Sequence, residues 1–300
     1  MKNFLLKIYN KIIQSIEKIK KARARKVYSK LQKPQIMSTK DTIHYIIKHK
    51  VSVSRFGDGE FSLVAGKGIS FQSVNGCLVD KLRKILVADT PNHITCLPIT
   101  MVSTKSVNEK ASQYWKTYFE ENYSTIVKYV RLDKVYYDAL ITRLYIDNID
   151  KNEAAEHFEL LKEIWLNKDI CIIEGEKSRL GVGNDLFNCA QSITRIICPS
   201  INAFNAYNDI LSFVNDNVTK DKLLLIALGP TATALAWDLS KMGYWALDIG
   251  HVDIEYEWML MGAEKKVPIK NKFVGDLFTF DEADDSTLDS YTKSIIKVLN

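Results

Sequence analysis

Residues Leu223–Ser240 read LLLIALGPTATALAWDLS. The first six are apolar without interruption, the pattern of a strand covered on both faces. Gly229, Pro230 and Thr231 then end the strand and open a helix, since proline suits a first helical position. Ala232, Ala234 and Ala236 let that helix lie close against a sheet. A doubly buried strand running straight into a helix is the building unit of a parallel sheet with helices on both faces.

The same alternation extends outward along the chain. Short β-branched runs stand at Val51–Phe56, Ile94–Leu97, Ile141–Tyr145, Ile170–Glu174, Arg195–Cys198, Leu223–Leu228 and Ala246–Ile249. Helical periodicity fills the intervals at Leu78–Ala88, Asn108–Tyr118, Lys151–Leu166, Ala206–Val214 and Thr231–Met242, and Asp284–Leu299 reads as a closing amphipathic helix. The expected class is α/β, a largely parallel sheet with helices on both faces. Residues 1–35 are expected to form a basic amphipathic helix and a linker, the linker being Gln32–Ser38 around Pro34, and residues 36–300 one domain.

Charge is unevenly placed. Residues 1–30 carry eight lysines, two arginines and one acid, Glu17, a net of +9, so with +5 over the whole chain the remainder carries −4. A mildly acidic body argues against a nucleic-acid binder and for a local electrostatic anchor. In the basic segment Phe4, Leu5, Ile8, Tyr9, Ile12, Ile13, Ile16 and Ile19 recur at helical spacing. That pattern fits either a helix lying on an anionic membrane surface or one packed on protein. No stretch of about 20 apolar residues could span a bilayer, and the N-terminus lacks the features of a signal peptide. The expected location is cytoplasmic, peripheral on the inner membrane face if the helix binds lipid. Cys77, Cys96, Cys171, Cys189 and Cys198 are scattered and form no CxxC pair, which suggests buried thiols in a reducing compartment. His44, His49, His93 and His157 belong to no chemical constellation.

In sheets of this kind ligands sit beyond the carboxyl ends of the strands. Four segments there carry candidate chemistry. SRFGDGEF, Ser54–Phe61, places Asp58 and Glu60 two residues apart, on one side if the chain is extended, where they could share a hard cation; Arg55 before them is a candidate diphosphate contact, and Gly57 leaves room for a ligand. The alternative is a solvated acidic turn. EGEKSRLGVGNDLF, Glu174–Phe187, offers Ser178, Arg179, Gly181, Gly183, Asn184 and Asp185 in a loop leading towards a helix, suited to phosphate or ribose oxygens or simply to a structural turn. It is not a dinucleotide fingerprint, because Leu186 stands where a third glycine belongs. Gly229, Pro230 and Thr231 open a helix whose N-terminus suits a phosphate or serves only as a helix cap. DIGHVDIEYEW, Asp248–Trp258, sets His251, Asp253, Glu255 and Glu257 at two-residue spacing, with His251 a candidate metal ligand or phosphate contact and Asp253 or Glu255 a candidate general base. Arg143 in ITRLY is either a further candidate diphosphate contact or a salt-bridged arginine.

Taken together, these four segments resemble the GT-D fold glycosyltransferases, a bacterial family first known as a domain of unknown function. SRFGDGEF looks like its DxE signature, and SRLGVGNDLF, LGPTATALAWDLS and IGHVDIEYEW look like its later signatures in the same order, over roughly residues 40–280. The resemblance implies a Rossmann-like domain. It also implies transfer of a sugar, glucose being one candidate, from a UDP-sugar donor onto a growing surface glycan, protein-linked or lipid-linked. Asp58 and Glu60 would then hold Mn²⁺ or Mg²⁺, with His251 assisting. The partners implied are a nucleotide-sugar and a glycan acceptor, and a homo-oligomer is compatible with the sequence. Two other readings stay open at this stage: a Rossmann-like enzyme using another nucleotide cofactor, and a non-catalytic membrane-tethered scaffold.

Overall fold

The computed structural model describes residues 2–277, 279–280 and 288–299; of residues 2–5, 8, 17, 21 and 288 only the backbone is described. The side chains of Phe4, Leu5 and Ile8, and the start of the expected closing helix, therefore lie outside the described residues.

Helix α1 (Lys2–Lys30) leads, followed by β1 (Gln35–Ile36), α2 (Thr39–His49), β2 (Ser52–Arg55), α3 (Asp58–Val64), α4 (Gly76–Val87) and β3 (His93–Leu97). Then come α5 (Glu109–Ile126), β4 (Val135–Asp138), α6 (Lys151–Trp165), β5 (Asp169–Gly175), β6 (Ser192–Cys198), α7 (Tyr207–Asn217) and β7 (Leu223–Ala227). The chain closes with α8 (Pro230–Lys241), β8 (Trp245–Asp248), α9 (Val252–Leu260), β9 (Phe273–Val274), β10 (Thr279–Phe280), α10 (Leu288–Ser294) and β11 (Ile295–Val298).

Nine strands form one sheet in the order β1-β4-β3-β2-β8-β7-β5-β6-β11. Every pairing in it is parallel. The expected α/β class is what the chain adopts. Leu223, Leu224, Leu225 and Ile226 of β7 are wholly buried, as their unbroken apolar run requires. One face of the sheet carries a core built with Leu82 of α4, Phe119 of α5, Ile210 of α7 and Leu235 of α8. The other carries Ile43 of α2, Phe158 of α6 and Ile254 of α9.

The order of strands divides the sheet into two halves. Strands β1–β4 come from residues 35–138 and strands β5–β8 from residues 169–248, and the halves meet where β2 lies beside β8, at Val53 and Leu247. Helix α8 packs over that joint, with Ala232, Ala234 and Ala236 all fully buried. Ser54 Oγ donates to the Thr233 carbonyl at 2.6 Å and pairs with His93 Nε2 at 2.8 Å. His93 is thus a core histidine, its pKa pushed down to about 3 by burial.

Several local expectations are corrected. Ile141–Tyr145 is no strand: the strand is the preceding Val135–Asp138, and a 3-10 turn occupies Ala139–Thr142. Asp138 caps that turn by accepting from Leu140 N at 2.9 Å, a local preference stronger than the β-branched run. The Gln32–Ser38 stretch is not a free linker, because β1 within it pairs with β4 and Tyr123 donates to the Gln32 carbonyl at 2.6 Å. The C-terminal segment is helical only to Ser294, after which Ile295–Val298 forms an edge strand on β6. Cys77 is exposed rather than buried, and all five cysteines are free thiols. Among the described residues no helix is long and apolar enough to cross a membrane.

The last turns of α1 belong to the body. Tyr28 donates to the Met101 carbonyl at 2.9 Å and packs on Phe119 and Tyr123, while Lys33 lies 3.4 Å from the centre of its ring. Truncation should therefore divide at this point. Removing residues 1–20 is expected to leave the unfolding free energy unchanged, whereas removing residues 1–30 takes away the Tyr28 anchor and should cost about 2 kcal/mol. Urea melts of the two truncated chains are the check.

Candidate functional site

The carboxyl ends of β2, β8 and β4 bring the first charged group together. Arg55 ends β2 and reaches across the joint between the two halves. Its Nε donates to the Asp248 carbonyl at 2.7 Å, one terminal nitrogen pairs with Asp248 Oδ1 at 2.7 Å, and the other donates to the Ala139 carbonyl at 3.2 Å. Thr233 Oγ1 donates to the second Asp248 oxygen at 3.1 Å. The guanidinium occupies space that only glycine leaves free: a Cβ on Gly250, at φ +42°, would lie 2.1 Å from it.

Asp58 and Glu60 follow immediately, but not in extended chain. Gly57 caps α3, which begins at Asp58, so the two carboxylates sit in a first helical turn. That corrects the extended geometry expected for the pair, and the physical reason is the capping box: Glu60 Oε2 accepts from Gly57 N at 2.7 Å. Asp58 is exposed, and the Tyr114 hydroxyl of α5 donates to its carboxylate. The Tyr118 hydroxyl donates to the Asp58 carbonyl at 3.2 Å. Glu60 is half-buried, and burial, reinforced by the Asp248 charge, pushes its pKa up to about 7.

A cationic group adjoins this acidic one. Arg143, at the end of the turn after β4, pairs with Asp276 at 3.1 Å, and Lys266 does so at 3.2 Å. His251, at the start of α9, places Nε2 3.6 Å from the same carboxylate. Burial, with Arg143 nearby, pushes the His251 pKa down to about 3, so the ring is neutral. Burial would raise Asp276, but the charges of Arg143 and Lys266 outweigh it and hold the carboxyl below the usual range.

The Ser178–Asp185 loop forms a second region beyond β5, and no helix follows it; the chain turns directly into β6. Arg179 takes φ +48° and donates to the Asn271 carbonyl at 3.3 Å. Asp253, expected as a candidate base, is inside: it accepts from Gly181 N and Asn184 Nδ2 at 2.8 Å each and pairs with Lys272 at 2.7 Å. Lys272, itself buried, also pairs with Glu257 at 2.7 Å. Glu255 is fully buried too, where Oε2 accepts from Tyr145 N at 3.0 Å and Ile146 N at 2.8 Å. The two-residue spacing left a polar-faced strand or a helix start open; the segment is the buried helix α9, and its acids hold neighbouring loops. Asp185 accepts from the Tyr256 hydroxyl at 2.8 Å.

Gly229, at φ +53°, precedes α8 in the expected way, with Pro230 in its first turn. A Cβ on Gly229 would stand 2.6 Å from the Phe71 ring, which lies over this turn. Thr231 is buried, and its hydroxyl has no hydrogen-bond partner among the described residues.

The structure thus joins Arg55, Gly57, Asp58, Glu60, Arg143 and His251 around the β2–β8 joint. Ser178, Arg179, Gly181, Gly183, Asn184 and Asp185 form the separate loop beyond β5. Sequence reasoning missed Asp248, Tyr114, Tyr118, Lys266, Lys272 and Asp276. Asp248 was legible as an acid closing a strand, and Tyr114 and Tyr118 as an i, i+4 pair on one helix face; the other three lie in an irregular segment without periodicity.

Two outcomes follow from these placements. Replacing Lys272 with methionine strands two buried carboxylates and should destabilise the fold by about 3–5 kcal/mol, measured by denaturant melts. Glu60→Gln should stabilise it instead. With a folded pKa near 7 against the ordinary 4.5, the wild type loses stability as pH rises between those values and no further above them. The advantage of the glutamine variant should therefore grow through that window, by no more than about 1.4 kcal/mol per pH unit.

Comparison with known proteins agrees with this architecture. The family model for the glycosyltransferase GT-D fold matches residues 53–277. The chain is 38% identical over 279 residues to a protein of Streptococcus pneumoniae named glycosyltransferase GlyD, covering 90% of this chain and 34% of that protein. It is 37% identical over 284 residues to the probable glycosyl transferase Gly of Streptococcus gordonii, covering 93% of this chain and 40% of that protein. The chain therefore spans roughly a third to two-fifths of the length of these relatives. A solved domain described as having a distinct glycosyltransferase fold superposes with a TM-score of 0.85 at 37% identity, covering 93% of this chain and all of that one. A glycosyltransferase structure from Streptococcus sanguinis gives 0.84 at 36% identity, covering 89% of this chain and all of that one. With the family model matching most of its length, the chain belongs to the GT-D fold glycosyltransferases.

Proposed function

We propose that this chain transfers a sugar from a UDP-sugar to a glycan acceptor, in a site centred on Asp58 and Glu60 at the carboxyl end of β2. The observation that carries the reading is the meeting of two opposite charge groups at the β2–β8 joint. Asp58 and Glu60 form one, and Arg143, Lys266 and neutral His251 around Asp276 form the other. Asp58 lies close enough to Arg143 to help raise its pKa, against the opposing effect of burial. A donor diphosphate needs cations for its oxygens and, for its leaving charge, a divalent ion held by hard ligands.

The residues present fit Mn²⁺ or Mg²⁺. Oδ1 of Asp58 and Oε1 of Glu60 are left free of hydrogen bonds to other described residues, while their partner oxygens are fixed by Tyr114 and Gly57. Among the described residues no three acids, histidines or cysteines converge as a full ligand set, which suits an ion that keeps water and takes phosphate oxygens. When bound, such an ion stabilises charge on the departing diphosphate.

The chain's own groups would do the rest. Arg143 and Lys266 are proposed to turn from Asp276 to the diphosphate, with neutral His251 donating or accepting beside them. The loop Ser178–Asp185 and the turn Gly229–Thr231, beyond the carboxyl ends of the neighbouring strands β5 and β7, are assigned to the nucleotide. Arg55 keeps β2 and β8 in register beneath the reacting groups. Asp253 and Glu255, being buried and hydrogen-bonded, act on this reading as positioning residues rather than as the base.

Release of UDP from a panel of UDP-sugars tests the proposal. Chelation by EDTA should abolish it and added Mn²⁺ restore it. Asp58→Asn and Glu60→Gln should each lower turnover by about two orders of magnitude, although the second variant is the more stable protein. Full turnover in either would overturn the assignment.

A further inference from the structure

The family match begins at residue 53, and α1 lies outside both it and the proposed site. This helix has two different parts. From Lys20 onward it runs beside α5: Lys20 and Arg23 line one groove with Glu120 and Glu121, and Arg25 pairs with Glu120 at 3.5 Å. Tyr28 then anchors the end. Before Lys20 the same helix carries a row of large apolar side chains in solvent. Leu6 is 59% exposed, Tyr9 61%, Ile12 53%, Ile16 46% and Ile19 68%. They recur at three- and four-residue steps and form a single stripe more than about 100° wide.

A stripe of isoleucine on a free helix face is costly in water, so something covers it. Charge decides what. Lys7, Lys11 and Lys18 share this stretch with one acid, Glu17, and residues 1–30 carry a net +9. Two such helices laid together would place like charges side by side, against self-association. Glu120 and Glu121 of the body line a groove with the last turns of α1, not with the stripe. A surface that offers both apolar depth and dense negative charge is an anionic bilayer.

We propose that the part of α1 before Lys20 lies in the headgroup region of an anionic membrane, with the isoleucine stripe inserted among the acyl chains. The lysines then sit among lipid phosphates, their alkyl stems along the apolar boundary. Anchored at Tyr28, the helix projects by roughly 1.5 Å per residue, or about 28 Å, from its contact with α5, and it ties the sheet to the lipid surface at a fixed side. This docking stands whether or not the donor assignment above is right, because no residue of α1 belongs to that site.

Co-sedimentation of the full chain with vesicles tests it. At low salt the protein should pellet with phosphatidylcholine vesicles containing phosphatidylglycerol and stay in solution with phosphatidylcholine alone. The triple variant Ile12→Asp, Ile16→Asp, Ile19→Asp should bind at least about tenfold more weakly, with an unchanged thermal midpoint because all three side chains are exposed. Reversal of Lys7, Lys11 and Lys18 to glutamate should weaken binding likewise, as should high salt for the wild type. The proposal is overturned if the wild type ignores the anionic vesicles, or if the triple variant binds them equally well. It is also overturned if sedimentation velocity shows a concentration-dependent dimer that the triple variant abolishes, since the stripe would then belong to a second copy.

Discussion

The clamp of Arg55 on Asp248 is the contact on which the rest of this molecule depends. The sheet is two parallel halves, and Val53 with Leu247 is the backbone pairing between them. One guanidinium spans that joint, binding a carbonyl and a carboxylate of β8 and a carbonyl beyond β4. Burial raises the pKa of Asp248, and Arg55 acts against that. A planar fork with five donors can make all three contacts at once, which a lysine could not. The Asp248 charge in turn raises Glu60, so the frame and the electrostatics of the candidate site share one carboxylate.

Much of this was legible in the chain. Doubly buried parallel strands announce themselves as unbroken apolar runs, and six of the seven expected strands form close to where they were placed. The exception, Ile141–Tyr145, shows the limit: a capping aspartate just upstream outweighed a β-branched run. Short edge strands such as Gln35–Ile36 and Ile295–Val298 bury little, so periodicity could not mark them. The DxE pair was visible, but its geometry was not, because whether two residues at that spacing share a side depends on whether a helix starts there. Asp253 and Glu255 looked reactive in sequence for the same reason that they are useful in structure. Acids near strand ends can serve chemistry or can collect loose backbone N–H groups, and only their partners distinguish the two.

The Lys272 cluster illustrates the second use. One buried ammonium pairs with Asp253 and Glu257 of α9, and those carboxylates in turn accept from Gly181 N and Asn184 Nδ2 of the loop beyond β5. Segments from residues 178–185, 253–257 and 272 are thereby fixed as a unit, although none of them forms a strand of the main sheet. Removing one member exposes the others to a low-dielectric interior without compensation, so the loop beyond β5 is only as well placed as its most distant partner.

The joint between the halves also fixes the moment at which a site can exist during synthesis. Arg55 and Asp248 are 193 positions apart. A growing chain can complete β1 to β4 and leave β2 with an open edge until β8 has left the ribosome, and chain emergence at roughly 5–20 residues per second makes that interval about ten seconds or more. Throughout it one edge of β2, which is paired with β3 on its other side, waits without its partner, a condition that invites misassembly and calls for chaperones. The acidic turn at Asp58 is among the early parts to be made, yet the strand that completes its surroundings is among the last.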